Sequence, residues 1–292
     1  MPVTLVRILR FALSLSLVAG LAACKSGPLE VRTYSSDPSF AINAHLLIGE
    51  REAVLIDTGF YRSDAEQIVQ MIRSTGRELR YIILTHAHPD HYFGTDIIRD
   101  AFPGVPVEAT LGVFLDFRDN AQATFNAYKA QLGDQIADRL VAPFLLPDDP
   151  NGVQIEFEGH KLRLLEQPQA GESKGATVIE VDNPHVVLSG DVLYNNVHLV
   201  LAECQAAGWK QDIEWLRSLG YTTIYPGHGP VAQGTAALDA ARDYLDAAVP
   251  ILNSASTADE AKSMLAARFP TYGGSGLLDF SVTQYFSRCR QP

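Results

Sequence analysis

From residue 42 onward the chain alternates short apolar runs with polar turn signals. Residues 42–48 and 53–56 read as two strands closed by the turn Asp57-Thr58-Gly59. A helix is expected over 65–74, with Ser63 as N-cap, Ile68, Val69 and Ile72 on its apolar side and Gly76 as its stop. Tyr81-Ile82-Ile83-Leu84 is a continuous apolar run, the pattern of a strand covered on both faces, and it leads straight into Thr85-His86. A helix over 94–101 precedes Pro103-Gly104. Residues 112–140 read as mostly helical and carry Phe114, Phe117, Phe125, Tyr128 and Leu132. Two readings fit that stretch, an aromatic insertion beside a site and a packed helical pair. Strands resume at 153–157, 162–166, 177–181 and 186–189, a helix at 209–219 and a strand at 222–225, followed by helices at 236–248 and 258–268. This order fits two sheets with helices outside them. Periodicity alone does not choose that arrangement over a doubly wound sheet.

The amino-terminal end has a different pattern. Arg7 and Arg10 precede an uncharged apolar run, 11–18, and then Leu21-Ala22-Ala23-Cys24. This reads as an export signal whose last four residues resemble a bacterial lipobox, with Cys24 as the lipidated first residue of the mature chain. Residues 1–23 are then signal and 24–40, rich in Ser, Pro and Gly, a tether. That places the protein in the periplasm or cell envelope, bound to membrane through lipid. Cys204 and Cys289 remain; they could pair in an oxidising compartment or stand as separate thiols.

A content of 47% hydrophobic residues is enough for a sizeable core and argues against wholesale disorder. The net charge of -11 makes nucleic acid an unnatural partner and does not forbid a small-molecule substrate, since a local metal centre can invert the sign inside a cleft.

The chemistry concentrates in His86-Ala87-His88-Pro89-Asp90-His91, four candidate ligands in six residues. Imidazole and carboxylate suit zinc and related metals. In extended chain His86 and His88 point to one side and can grip one ion. Pro89 lets the chain turn, so Asp90 and His91 can serve a second. Asp57, Asp191 in Ser-Gly-Asp and His228 in Pro-Gly-His-Gly each end a predicted strand, where sheet proteins place their sites. A carboxylate at 191 could bridge two cations.

With these pieces in this order, residues 29 to 231 resemble the metallo-β-lactamase superfamily. The resemblance implies an α/β (α+β) fold, a four-layered αβ/βα sandwich over 41–231, here with a C-terminal helical extension over 232–292. It implies a metal-activated water that hydrolyses an ester, lactone, amide or related bond, with Asp90 orienting the nucleophile or handling its proton. The cofactor expected is zinc, as two ions, with iron, manganese or a single ion as alternatives. His86 and His88 would hold the first ion; Asp90, His91 and His228 the second; Asp191 would bridge them, with Asp57 behind the ligands. One departure stands out. The family supplies a further His in a turn before a strand, and the matching position here is Glu172. Glu172 is either a carboxylate ligand or a solvated loop residue. The second case leaves room for a non-catalytic metal-binding lipoprotein. Export favours lactones, acyl-homoserine lactones among them, or β-lactams over cytoplasmic thioesters. Tyr194, Asn195 and His198 follow the bridging Asp and are candidates for touching substrate, although His198 fits a packed residue equally well. His45, His160 and His185 are not expected to be ligands.

Overall fold

The computed structural model describes residues 27–149 and 151–290; the signal segment and Cys24 lie outside the described residues. Among the described residues twelve strands form two sheets. The first contains β1 (Glu30–Ser35), β2 (Asn43–Ile48), β3 (Glu52–Ile56), β4 (Glu78–Ile83), β5 (Val107–Ala109) and β6 (Phe144–Leu145), in that spatial order. The second contains β7 (Val153–Phe157), β8 (His160–Glu166), β9 (Thr177–Val181), β10 (Val186–Tyr194), β11 (Thr223–His228) and β12 (Ala232–Gln233), also in chain order across the sheet. The helices are α1 (Arg62–Thr75), α2 (Pro89–Tyr92), α3 (Thr95–Ala101), α4 (Leu111–Leu132), α5 (Ala206–Ser218), α6 (Ala236–Ser254), α7 (Ala258–Arg268) and α8 (Ser275–Arg288).

Strand periodicity explains the layering. In β3, Val54 and Ile56 face the second sheet, while Ala53 and Leu55 face α1 and its neighbours. In β10, Val186 and Leu188 point to the first sheet and Val187 to the outer helices. Alternation with both faces apolar is what a sheet covered on both sides requires. Three apolar layers result. Leu47, Ile83, Phe157, Leu162 and Ile179 are among those filling the space between the sheets. Ile68, Ile72, Phe93 and Phe117 help join the first sheet to α1, α3 and α4. Trp209, Ile213, Tyr244, Leu265 and Val282 help join the second sheet to α5–α8. The product is the expected αβ/βα sandwich, and the C-terminal helices belong to its outer layer.

Several details differ from the sequence reading. The stretch read as a tether, 24–40, contributes β1, an edge strand antiparallel to β2. Its Val-Arg-Thr-Tyr core is masked in sequence by the Ser and Pro residues that follow. The N-cap of α1 is Tyr61, so Ser63 lies inside the helix. Asp64, at the third helical position, reaches back to accept from Tyr61 N at 2.9 Å. Helix α8 extends the C-terminal region beyond the two helices expected there, with Leu277, Leu278, Val282 and Tyr285 buried at helical spacing. Cys204 and Cys289 are joined in a disulfide that ties the end of α8 to the segment before α5.

The two sheets meet at one end. There His86 bridges Ala176, Thr177 N donates to Thr85 O at 2.7 Å, and Ile42 bridges His228. Strands β3, β4, β10 and β11 all reach this end, and the site is built on it.

Candidate metal centre

Asp57 follows β3 in the left-handed region, φ 61°, which an aspartate tolerates better than most residues. That conformation turns its carboxylate back across the strand ends. It accepts from Thr85 N at 2.8 Å and from Thr85 Oγ1 at 2.7 Å, and His91 Nδ1 meets it at 2.8 Å. One buried carboxylate therefore fixes both the entry to the histidine segment and the ring of His91. Replacing Asp57 with Asn keeps shape and backbone conformation and removes the charge that receives these bonds. The metal-free Asp57→Asn protein should lose about 2–3 kcal/mol of stability. An unchanged urea midpoint would contradict this.

His86 leaves the end of β4 and His88 is the residue before α2, whose first turn carries Asp90 and His91. Pro89 at the first helical position keeps His88 extended, φ -86° and ψ 142°, and starts the turn directly after it. The second sheet supplies the opposite wall. Asp191 sits within β10 and His228 closes β11. A Cβ on Gly227 would come within 1.8 Å of Asp191 Oδ1, so only glycine lets β11 pass this close.

These residues converge into two groups, His86, His88, Glu172 and Asp191, and Asp90, His91 and His228. In the first, His88 Nδ1 lies 3.1 Å from Glu172 Oε1, and His86 Nε2 lies 3.8 Å from Glu172 Oε2 and 3.5 Å from Asp191 Oδ2. In the second, His228 Nε2 is 3.3 Å from Asp90 Oδ2 and His91 Nε2 is 3.6 Å from it. Asp191 joins the two: Oδ1 is 3.3 Å from His91 Nε2 and Oδ2 is 3.2 Å from His228 Nε2. Glu172 is buried in the first group and is no solvated loop residue.

Three of the four rings have their outer nitrogen engaged. His86 Nδ1 meets Thr85 Oγ1 at 3.0 Å, His91 Nδ1 meets Asp57, and His228 Nδ1 meets Phe40 O at 2.8 Å. Thr85 gives its own proton to Asp57, so it accepts from His86. An Nδ1 that donates outward leaves Nε2 as a lone pair aimed inward, the tautomer that a metal ligand needs.

The field inside favours positive charge. Burial opposes ionisation of Asp191, but the imidazoles of His228, His91 and His86 outweigh it and hold the carboxyl well below its usual range. Burial lowers His88 and His228, yet facing carboxylates reverse this and raise them to about 9 and about 10. His86, nearest to other imidazoles, is pushed well down by burial and by His91. Burial pushes the Glu172 carboxyl up against the pull of His88. A pocket that draws protons onto its imidazoles will also draw a cation. His86 Nε2, Glu172 Oε2 and Asp191 Oδ1 are buried without a hydrogen-bond partner. Orphaned buried acceptors are costly, and divalent cations would satisfy all three. The residues present therefore fit a two-cation site.

His88, Asp90, Glu172 and Asp191 of these groups line the floor of a cleft of about 310 Å³, with His86, His91 and His228 buried behind them. One face of α4, Asp116, Asn120, Thr124 and Tyr128, lines it, while Val113, Phe117, Ala121 and Phe125 pack beneath. The 112–140 stretch is thus one helix beside the site and not a helical pair, and of its aromatics Tyr128 lines the cleft while Phe117 and Phe125 pack in the core. Phe40, Phe60, Leu277 and Phe280 add apolar wall.

Of the three substrate candidates only Tyr194 faces the cleft. Its hydroxyl is 2.7 Å from Asp191 Oδ2 and 3.3 Å from Glu172 Oε1, so it steadies carboxylates. Asn195 donates to Pro230 O at 2.9 Å, and His198 is buried against Tyr244 with Nδ1 3.0 Å from its hydroxyl; neither lines the cleft. The remaining histidines lie outside both groups. His45 sits between Thr33 Oγ1 and Pro226 O, His160 starts β8, and His185 stacks on Tyr221. Sequence reasoning missed the contribution of α8 and of Glu203 to the cleft wall.

Comparison with known proteins agrees with the geometry. The family model described as the metallo-beta-lactamase superfamily matches residues 38–228. A "probable metallo-hydrolase" of Streptococcus pyogenes is 27% identical over 198 residues, 64% of this chain and 79% of that protein. The "probable metallo-hydrolase YqgX" of Bacillus subtilis is 26% identical over 198 residues, 64% of this chain and 85% of that protein. The crystal structure of a metallo-beta-lactamase family protein from Thermus thermophilus superposes with a TM-score of 0.66 at 21% identity, covering 90% of this chain and 93% of that one.

Proposed function

The chain belongs to the metallo-beta-lactamase superfamily, and from that premise we propose that this metal-dependent hydrolase acts on an ester, lactone or amide bond of a small substrate with an apolar body. The observation that carries the reading is the position of the two ligand groups, on the floor of a cleft walled by Phe40, Phe60, Tyr128, Leu277 and Phe280.

We assign His86, His88 and Glu172 to one cation, Asp90, His91 and His228 to the other, and Asp191 to both, with zinc as the metal. Two such cations supply a water acidic enough to attack at neutral pH and polarise the bond under attack. The chain's own residues do the rest. Asp90 is the ligand carboxylate that opens to the cleft, its side chain 25% exposed, so it can orient a water and take up its proton. Asp57, Thr85 and the Phe40 carbonyl hold three rings in the required tautomer. Aromatic walls take the apolar body and keep bulk water out. Glu172, the feature that left room for a non-catalytic protein, lies within the ligand group and supports the hydrolase.

Export as a lipoprotein anchored through Cys24 remains part of this proposal. It is supported by the amino-terminal pattern and by the Cys204–Cys289 disulfide, a bond that persists in oxidising compartments. Among the described residues no helix is long and apolar enough to cross a membrane.

The test is a hydrolysis screen of metal-reconstituted protein across lactones, β-lactams, phosphoesters and thioesters. Turnover is expected on carboxylic substrates with an apolar group, lost with a chelator and restored by a divalent cation. Protein that holds two ions and leaves every carboxylic substrate intact would sink the reading.

A further inference from the structure

Three of the four imidazoles have an identified acceptor on the nitrogen that faces away from the ligand group. His88 is reversed, with Nδ1 turned inward to Glu172 and Nε2 outward. The group that Nε2 meets is the Glu203 carboxylate, with Oε1 at 3.9 Å. Glu203 is itself faced by Arg288, whose Nη1 lies 3.7 Å from the same oxygen. Glu203 and Arg288 are the chain neighbours of Cys204 and Cys289, the two halves of the disulfide. Cys204 sits in the left-handed region, φ 62°, a conformation unusual for a residue with a Cβ. Leu201 N also donates to Ser281 Oγ of α8 at 2.9 Å. The segment carrying Glu203 is thus fastened to α8 covalently and by a buried hydrogen bond.

We propose that Glu203 is the positioning residue of His88, and that Arg288 and the Cys204–Cys289 bridge hold it in place. Occupancy of the His86–His88–Glu172 group then depends on the C-terminal extension. The inference rests on the two-cation reading above. A carboxylate behind a metal-bound imidazole fixes the ring and raises its basicity as a ligand, and losing such a partner typically costs 10–100-fold in metal affinity. The rim location of Glu203, with a side chain 25% exposed, makes its replacement tolerable to the fold.

The experiment measures Zn²⁺ affinity by chelator competition and the absorption of the Co²⁺-loaded protein. Wild type, Glu203→Ala, Glu203→Gln and the double variant Cys204→Ser, Cys289→Ser are compared. The unfolding midpoint of each metal-free protein reports on the fold. In Glu203→Ala one of two ions should bind roughly 10–100-fold more weakly, with a changed cobalt spectrum and the other ion unaffected. Glu203→Gln keeps an acceptor oxygen and should recover most of the loss, and the double serine variant should fall between. Wild-type affinity and an unaltered spectrum in Glu203→Ala overturn the proposal, as does an equal loss in Glu203→Gln. Wild-type protein that takes up no ion overturns the two-cation reading along with it, which separates the two failures.

Discussion

Asp191→Ala protein is expected to hold less than one divalent ion per chain and to lose hydrolytic turnover by on the order of 10³-fold or more, a barrier increase of at least about 4 kcal/mol. The reason is geometric. Asp191 is the one carboxylate within 3.5 Å of His86, His91 and His228 together. Without it, the inward nitrogens of His91 and His228, 3.4 Å apart, keep only the half-open Asp90 carboxylate between them, and nothing ties that group to His86. Each group then keeps three ligands but loses the negative charge that the two cations share. Tyr194 also loses the acceptor of its 2.7 Å bond and keeps only the longer one to Glu172 Oε1 at 3.3 Å, a net loss of about 1 kcal/mol. Asp191→Asn separates the two effects. It keeps volume and an acceptor for Tyr194 but lacks the charge, so it should remain folded and still be depleted of metal. Elemental analysis beside circular dichroism measures both. Two tightly held ions in folded Asp191→Ala would refute the shared role.

The histidine segment was legible in sequence because its chemistry is local: six consecutive residues carry four candidate ligands, and a proline sets the backbone between them. Asp57, Asp191 and His228 were legible because each ends or interrupts an apolar strand. Glu172 could be picked out only by its place in a turn before β9, and its burial became visible only once the second sheet had packed over it. What sequence could not show falls into two kinds. Partners that act through the backbone, such as the Phe40 carbonyl behind His228, leave no signature in residue type. Partners joined by tertiary packing, such as Glu203 and Arg288, are 85 residues apart and become neighbours through α8 and the disulfide. The misplacement of Asn195 and His198 has its own cause. The pairing of β10 with β11 shifts register between Gly190 and Tyr194, so alternation cannot be carried past Asp191 to decide which side chains face the cleft. The strand β1 was hidden for a related reason. It is a half-buried edge strand with Ser, Asp and Pro directly after it, and its partner β2 supplies most of the apolar residues.

Glu172 sets the second large expectation, because it decides what kind of ion the first group holds. Its carboxylate faces both His88 Nδ1 and His86 Nε2, and its outer oxygen has no hydrogen-bond partner. Glu172→Ala should weaken one ion by about 10²-fold or more while the Asp90–His91–His228 ion persists, since removing a ligand must cost at least as much as removing a ligand's partner. Glu172→His is more informative. A carboxylate adds negative charge and a hard oxygen donor, so the wild-type group should accept Mn²⁺ or Fe²⁺ more readily than an imidazole-rich group would. With histidine at 172 the group trades one charge for a softer nitrogen. The Zn²⁺-over-Mn²⁺ preference at that ion should then rise by roughly tenfold or more, on the order of 1.4 kcal/mol. Competition between the two metals, read as bound metal per chain after equilibration, gives this ratio directly. If the ratio is the same in wild type and Glu172→His, then residue 172 is not a donor, its burial between two imidazoles serves charge balance alone, and the first ion is held by His86, His88 and Asp191 without it.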